Sequence, residues 1–94
     1  MNELISIVIP VYNSKDSLFE LYQRIKESLK GEDFNFELIL VDDRSSDSSY
    51  QKIIDLSRED KRVKGIRLAQ NFGQQNAIFC GFNYTQGDYI ITMD

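Results

Sequence analysis

The sequence predicts an α/β fold, an open parallel sheet covered by helices on both faces. Short branched-apolar runs alternate with segments of 3.6-residue apolar spacing, strand then helix three times and then a last strand. The first run, LISIVIPV at residues 4–11, is almost continuously apolar. A strand buried on both faces must read this way, whereas a strand with one wet face would alternate. Right-handed crossovers join such strands, and the commonest doubly wound arrangement orders them 3-2-1-4.

After the first strand, Leu18, Leu21, Tyr22, Ile25 and Leu29 recur at helical spacing, with Ser14 and Asp16 as capping candidates and Gly31 as a stop. This spacing predicts a helix over residues 16–30. Residues 36–41 read as the second strand. It runs into the polar stretch Asp42-Asp43-Arg44-Ser45-Ser46-Asp47, rich in residue types that cap helix N-termini. Tyr50, Ile53 and Ile54 give the second helix its buried stripe. Residues 63–68, interrupted by charges and Gly65, read as a weaker third strand at a sheet edge. A third helix is expected over residues 73–84, where Ala77, Cys80 and Gly81 are small enough for close approach to the sheet and Asn71 and Gly73 shape the turn into it. Gly87 precedes the fourth strand, residues 88–93, whose outer edge has no sequence to cover it, as if the domain were interrupted at Asp94.

At 94 residues and 11.0 kDa the chain is expected to form a single domain over residues 1–94. A chain of this size removes about 60–65% of its unfolded surface from water, so its core is small. Fifteen acidic against 11 basic residues give a net charge of −4, which argues against nucleic acid as a partner. Cys80 has no second cysteine to pair with, and without histidine neither a Cys/His zinc site nor a Ser-His-Asp triad can form. A reducing, cytoplasmic setting is expected. Apolar runs such as residues 38–41 are too short to span a bilayer, no signal peptide is visible, and no basic amphipathic helix offers this segment a membrane contact.

In a sheet of order 3-2-1-4 the strand order reverses between the first and fourth strands, and ligands bind at their carboxyl ends. That rim carries Tyr12-Asn13, Asp42-Asp43 and Asp94. Neither a G-x-G-x-x-G after the first strand nor a G-x-x-x-x-G-K-S/T occurs, so the standard glycine cradles for phosphate are missing. The rim is acidic instead. Crowded carboxylates are commonly reconciled by a divalent cation, which then also admits phosphate oxygens. The same Asp42, Asp43 and Asp47 also suit ordinary loop and capping roles, and spacing leaves both readings open.

Four stretches, ISIVIPVYNS at 5–14, LILVDDRSSD at 38–47, NFGQQNA at 71–77 and GDYIITMD at 87–94, resemble the family 2 glycosyltransferases of GT-A fold, whose sheet is Rossmann-like. The branch they look most like is the dolichyl- or undecaprenyl-phosphate sugar synthases. The resemblance implies that Pro10, Tyr12, Asn13, Asp42 and Asp43 hold the nucleotide of a UDP- or GDP-sugar donor. Tyr12 would lie against the base, and Asp43 or Asp42 would accept a hydrogen bond from base or ribose. It also implies a D-x-D motif binding Mg²⁺ or Mn²⁺, with Asp94 as its first Asp and the second beyond the chain. The implied reaction is an inverting transfer to a polyprenyl phosphate or a glycan at the cytoplasmic face of the membrane, serving cell-envelope glycan synthesis. No catalytic base of the family falls within these residues, so the chain is not expected to catalyse transfer alone. Ser14 stands where many relatives carry Glu, and Gln70 where the synthase branch carries Arg.

Two other classes fit fewer residues. LILVDD also resembles the acidic first strand of a phospho-acceptor receiver domain, a signalling module, but a whole strand-helix unit precedes it here. A nucleotidyltransferase would need a glycine-rich loop with Arg where Pro10-Val11-Tyr12-Asn13 stands.

Overall fold

Every second residue of the two central strands faces one helical layer, and the residues between face the other. The computed structural model describes residues 3–32 and 34–93. Its elements are β1 (Glu3–Val11), α1 (Leu18–Leu29), β2 (Phe34–Asp42), α2 (Ser49–Glu59), β3 (Val63–Arg67), α3 (Gln74–Phe82) and β4 (Tyr89–Thr92). The sheet runs β3-β2-β1-β4 with all pairs parallel, the order expected from the sequence.

Ile7, Ile9 and Val11 of β1 and Phe36, Leu38 and Leu40 of β2 form one core with Leu18, Tyr22 and Ile25 of α1 and Ile53 and Leu56 of α2. Val8, Ile39 and Val41 form a second, smaller core against Ala77 of α3. The near-continuous apolar strands are thus explained by helices on both sides. α3 comes close because Gly81 lacks a side chain: a Cβ there would collide with the Val8 side chain and lie 3.1 Å from Val41 Cγ2.

Two local expectations are corrected, and the uncovered edge expected of the fourth strand is found. Helix α1 starts at Leu18, after a turn in which the Ser17 and Leu18 N–H groups donate to the Ser14 carbonyl at 3.1 and 3.2 Å. Ser17 holds the cap position, and its side chain makes no capping bond. In α2 the stripe is Ile53 and Leu56 with Tyr50 packed alongside, because Leu56 lies three residues from Ile53 on the same face while Ile54 is rotated away. Strand β4 is apolar yet exposed, with Tyr89, Ile90 and Ile91 at 56%, 48% and 45%, since β1 is its sole sheet neighbour among the described residues.

What fixes β4 is a buried polar network. Glu37, on β2 beside Ser6 of β1, accepts from Ser6 Oγ and the Gln86 N–H at 2.6 Å each and from Lys64 Nζ at 2.8 Å. Ser6 Oγ in turn accepts the Gly87 N–H at 2.8 Å, and Asp88 exchanges two hydrogen bonds with the backbone of Leu4. Any side chain at Gly87 would strike Ser6 Oγ and lie 2.8 Å from its backbone N. Burial pushes the Glu37 carboxyl up, but its bonds to Lys64, Ser6 and Gln86 outweigh this and hold it below its ordinary value.

Gly81→Ala should therefore destabilise the protein by about 1–3 kcal/mol in urea unfolding, since the Val8 contact forces either the helix or the strand to shift. A lowered carboxylate pKa contributes stability above its unfolded value, near 4.5, that is lost as pH falls through the folded value. Glu37→Gln should accordingly cost about 1–3 kcal/mol at pH 7. Its deficit relative to the parent should shrink in chemical unfolding repeated below pH 4.5.

Candidate functional site

At the carboxyl ends of β1 and β2 two loops are stitched together through one buried carboxylate. Asp42, the last residue of β2, is fully buried. It accepts from Ser45 N–H at 3.1 Å and Ser45 Oγ at 2.5 Å, and pairs with Arg67 Nε of β3 at 3.3 Å. Arg67 is its register partner across the sheet and also lies 5.2 Å from the Tyr50 ring centroid.

Ser45 passes the constraint to the first loop, since its Oγ accepts the Asn13 N–H at 2.9 Å. Asn13 Oδ1 then accepts from Ser46 N–H at 2.9 Å, Ser46 Oγ at 3.2 Å and Asp47 N–H at 3.3 Å. These bonds hold Asn13 at φ 48°, in the left-handed region that asparagine tolerates. Asp47 caps the start of α2 by accepting from the Ser49 N–H and hydroxyl at 2.9 and 2.5 Å, and also takes the Lys15 N–H at 3.3 Å. The Ser49 hydroxyl above all, with these N–H groups, holds the Asp47 carboxyl below its ordinary value against desolvation.

Asp43 faces the other layer. Its two oxygens accept the Phe72 and Gly73 N–H groups at 2.8 and 3.0 Å, just ahead of α3, where a negative charge also suits the helix N-terminus. Gly73 sits there at φ 96°, a conformation open to glycine, and so shapes the turn as expected. A cleft of about 210 Å³ opens between these elements, lined by Pro10, Val11, Tyr12, Ser14, Asp43 and Gln74. The Tyr12 ring stands 52% exposed at its rim.

Of the residues expected to bind ligand, Pro10, Tyr12 and Asp43 line one cleft, whereas Asn13 and Asp42 are absent from its lining and make the hydrogen bonds that join the two loops. Of the two readings left open for the loop carboxylates, the hydrogen bonds fit the loop and capping one. Among the described residues no group of three acidic, cysteine or histidine side chains could hold a metal. Asp42, Asp43 and Asp47 are each met by N–H groups, serine hydroxyls or Arg67. Asp94, the expected metal ligand, lies outside the described residues. Ser45, Ser49 and Arg67 were not legible as site residues, although the serine-rich run after Asp43 is the composition of a loop that supplies its own donors.

Comparison with known proteins shows the family. Residues 6–94 match Glycosyl transferase family 2. The chain is 46% identical over 91 residues to the undecaprenyl-phosphate 4-deoxy-4-formamido-L-arabinose transferase of Proteus mirabilis (strain HI4320), covering 96% of this chain and 28% of that protein. It is 42% identical over 93 residues to the transferase of the same name from Edwardsiella ictaluri (strain 93-146), covering 98% and 29%. It therefore spans under a third of these relatives. Among solved structures, S. aureus TarS 1-349 in complex with UDP-GlcNAc superposes with a TM-score of 0.79 at 26% identity, covering all of this chain and 26% of that one. Mannosyltransferase PcManGT from Pyrobaculum calidifontis, in complex with GDP-Man and Mn²⁺, superposes at 0.80 with 16% identity over 96% of this chain and 26% of that one, a likeness of fold alone. With its 3-2-1-4 parallel sheet and residues 6–94 matching the family, this chain belongs to the family 2 glycosyltransferases of GT-A fold.

Proposed function

We propose that the chain is the donor-binding part of an inverting transferase that moves a sugar from a UDP- or GDP-sugar to a polyprenyl phosphate such as undecaprenyl phosphate. The observation that carries this reading is the cleft at the reversal of strand order, where an exposed aromatic ring, Tyr12, stands beside a carboxylate, Asp43. The names of the curated relatives support the acceptor, and the UDP-GlcNAc complex of TarS supports the donor class.

In this reading Tyr12 supplies a face for the base. Each Asp43 oxygen already takes one backbone N–H and keeps a second lone pair, so the carboxylate can accept from base or ribose without losing its hold on α3. We assign that contact to Asp43 rather than Asp42, because Asp42 has no exposed surface. Pro10 lines the cleft, and Asn13 ties the two loops together. A phosphate acceptor is already an anion, so displacement at the anomeric carbon needs no protein base. Mg²⁺ or Mn²⁺ held at Asp94 would supply positive charge to the departing diphosphate. Contact with the lipid acceptor falls to the rest of the protein.

Calorimetry of the complete protein with UDP and GDP tests the cleft. Tyr12→Ala and Asp43→Asn should each weaken binding by about 1–3 kcal/mol, and unchanged affinity in both would sink the assignment. Asn is used at position 43 because it keeps an acceptor for one of the two N–H groups ahead of α3, where Ala would strand both. Asp94→Asn should abolish most turnover while sparing much of the nucleoside affinity, because the ion acts on charge that grows during the reaction. Near-normal, metal-dependent transfer by that variant would remove Asp94 from the role.

A further inference from the structure

Arg44 sits at the tip of the Asp42–Ser45 turn with φ 60°, one of two non-glycine residues in the left-handed region among those described. That conformation is unfavourable for an ordinary side chain, while glycine adopts it freely. Both flanks pin it there. The Asp43 N–H donates to the Val11 carbonyl at 2.8 Å, and Ser45 is tied to Asp42 and Asn13. The other left-handed residue, Asn13, recovers the cost through three hydrogen bonds of its own side chain. Arg44 recovers nothing of the kind: among the described residues its exposed side chain makes no hydrogen bond or ion pair, although Asp42, Asp43 and Asp47 lie within three positions along the chain. Asp42 is compensated by Arg67 instead.

An uncommitted guanidinium on a strained backbone therefore stands next in sequence to Asp43, a lining residue of the cleft. We propose that Arg44 is a ligand-binding residue of this cleft, its guanidinium pairing with the diphosphate of the nucleotide donor. The inference rests on the donor-binding reading given above. The diphosphate is the donor's strongly anionic group, and a planar guanidinium meets phosphate oxygens with two parallel N–H donors. Strain kept in a turn that its neighbours over-determine is a recurrent property of residues retained for binding.

The test titrates the complete protein with UDP, GDP and the two parent nucleosides, alongside thermal unfolding, for the parent, Arg44→Gly and Arg44→Asn. Both replacements accept the left-handed conformation and remove the charge. Each should lower affinity for the nucleoside diphosphate by about 5- to 20-fold, leave nucleoside affinity unchanged, and keep Tm at or above the parent's. A purely structural arginine would instead lower Tm and move both ligands together, and that result overturns the proposal. Diphosphate affinity equal to the parent's also overturns it, while the Tyr12→Ala loss of binding would still stand. A parent that binds neither UDP nor GDP overturns the cleft reading and this inference at once.

Discussion

The carboxylate of Asp42 is the constraint on which the ligand-facing end of the molecule depends. A charge with no exposed surface costs several kcal/mol unless its lone pairs are met. The loop that follows must therefore fold back to present the Ser45 N–H and hydroxyl, and the neighbouring strand must present Arg67. Once Ser45 is placed, its oxygen places Asn13, and Asn13 places Ser46 and Asp47. Asp47 then starts α2 through Ser49, whose hydroxyl also receives the Ser14 N–H. One buried charge thus propagates into the relative position of both loops.

The two layers contribute differently to the cleft. On the α1/α2 side the larger core fixes where the loops emerge. On the α3 side the core is small, and closeness is obtained by omission, with Gly81 against Val8 and Val41. Asp43 couples this layer to the site, because the N–H groups it accepts belong to the turn entering α3. Its carboxylate is thereby fixed by the fold itself, and under the proposed donor-binding role this reduces the ordering that binding must bring about.

The helix on each face was legible because the continuous apolar runs of β1 and β2 suit a doubly covered parallel sheet, and the strand order because it is the commonest doubly wound arrangement. The site was legible as a rim but not as a division of labour. Asp42 and Asp43 are alike in sequence, yet one step along an extended chain turns the side chain to the opposite face. Asp42 continues the row of Leu38 and Leu40 towards the larger core, and Asp43 turns to α3. Glu37 escaped notice for a related reason. A lone acid within FNFELILV reads as an interruption until the register sets Ser6 beside it and brings Lys64 across from β3. The exposure of β4 was foreseen at its outer edge but not on its faces, because an apolar run does not state what covers it.

The two left-handed residues at the rim show how stability and function separate within a few positions. At Asn13 the backbone strain and the side-chain bonds close on each other, so the residue is explained by the fold alone. At Arg44 the same backbone region carries a long cationic side chain that the fold does not use. Glycine would satisfy the turn with less strain. A side chain that the fold does not use, held in a strained turn next in sequence to a residue lining the cleft, is the kind of position where a binding role, as proposed for Arg44, separates from stability.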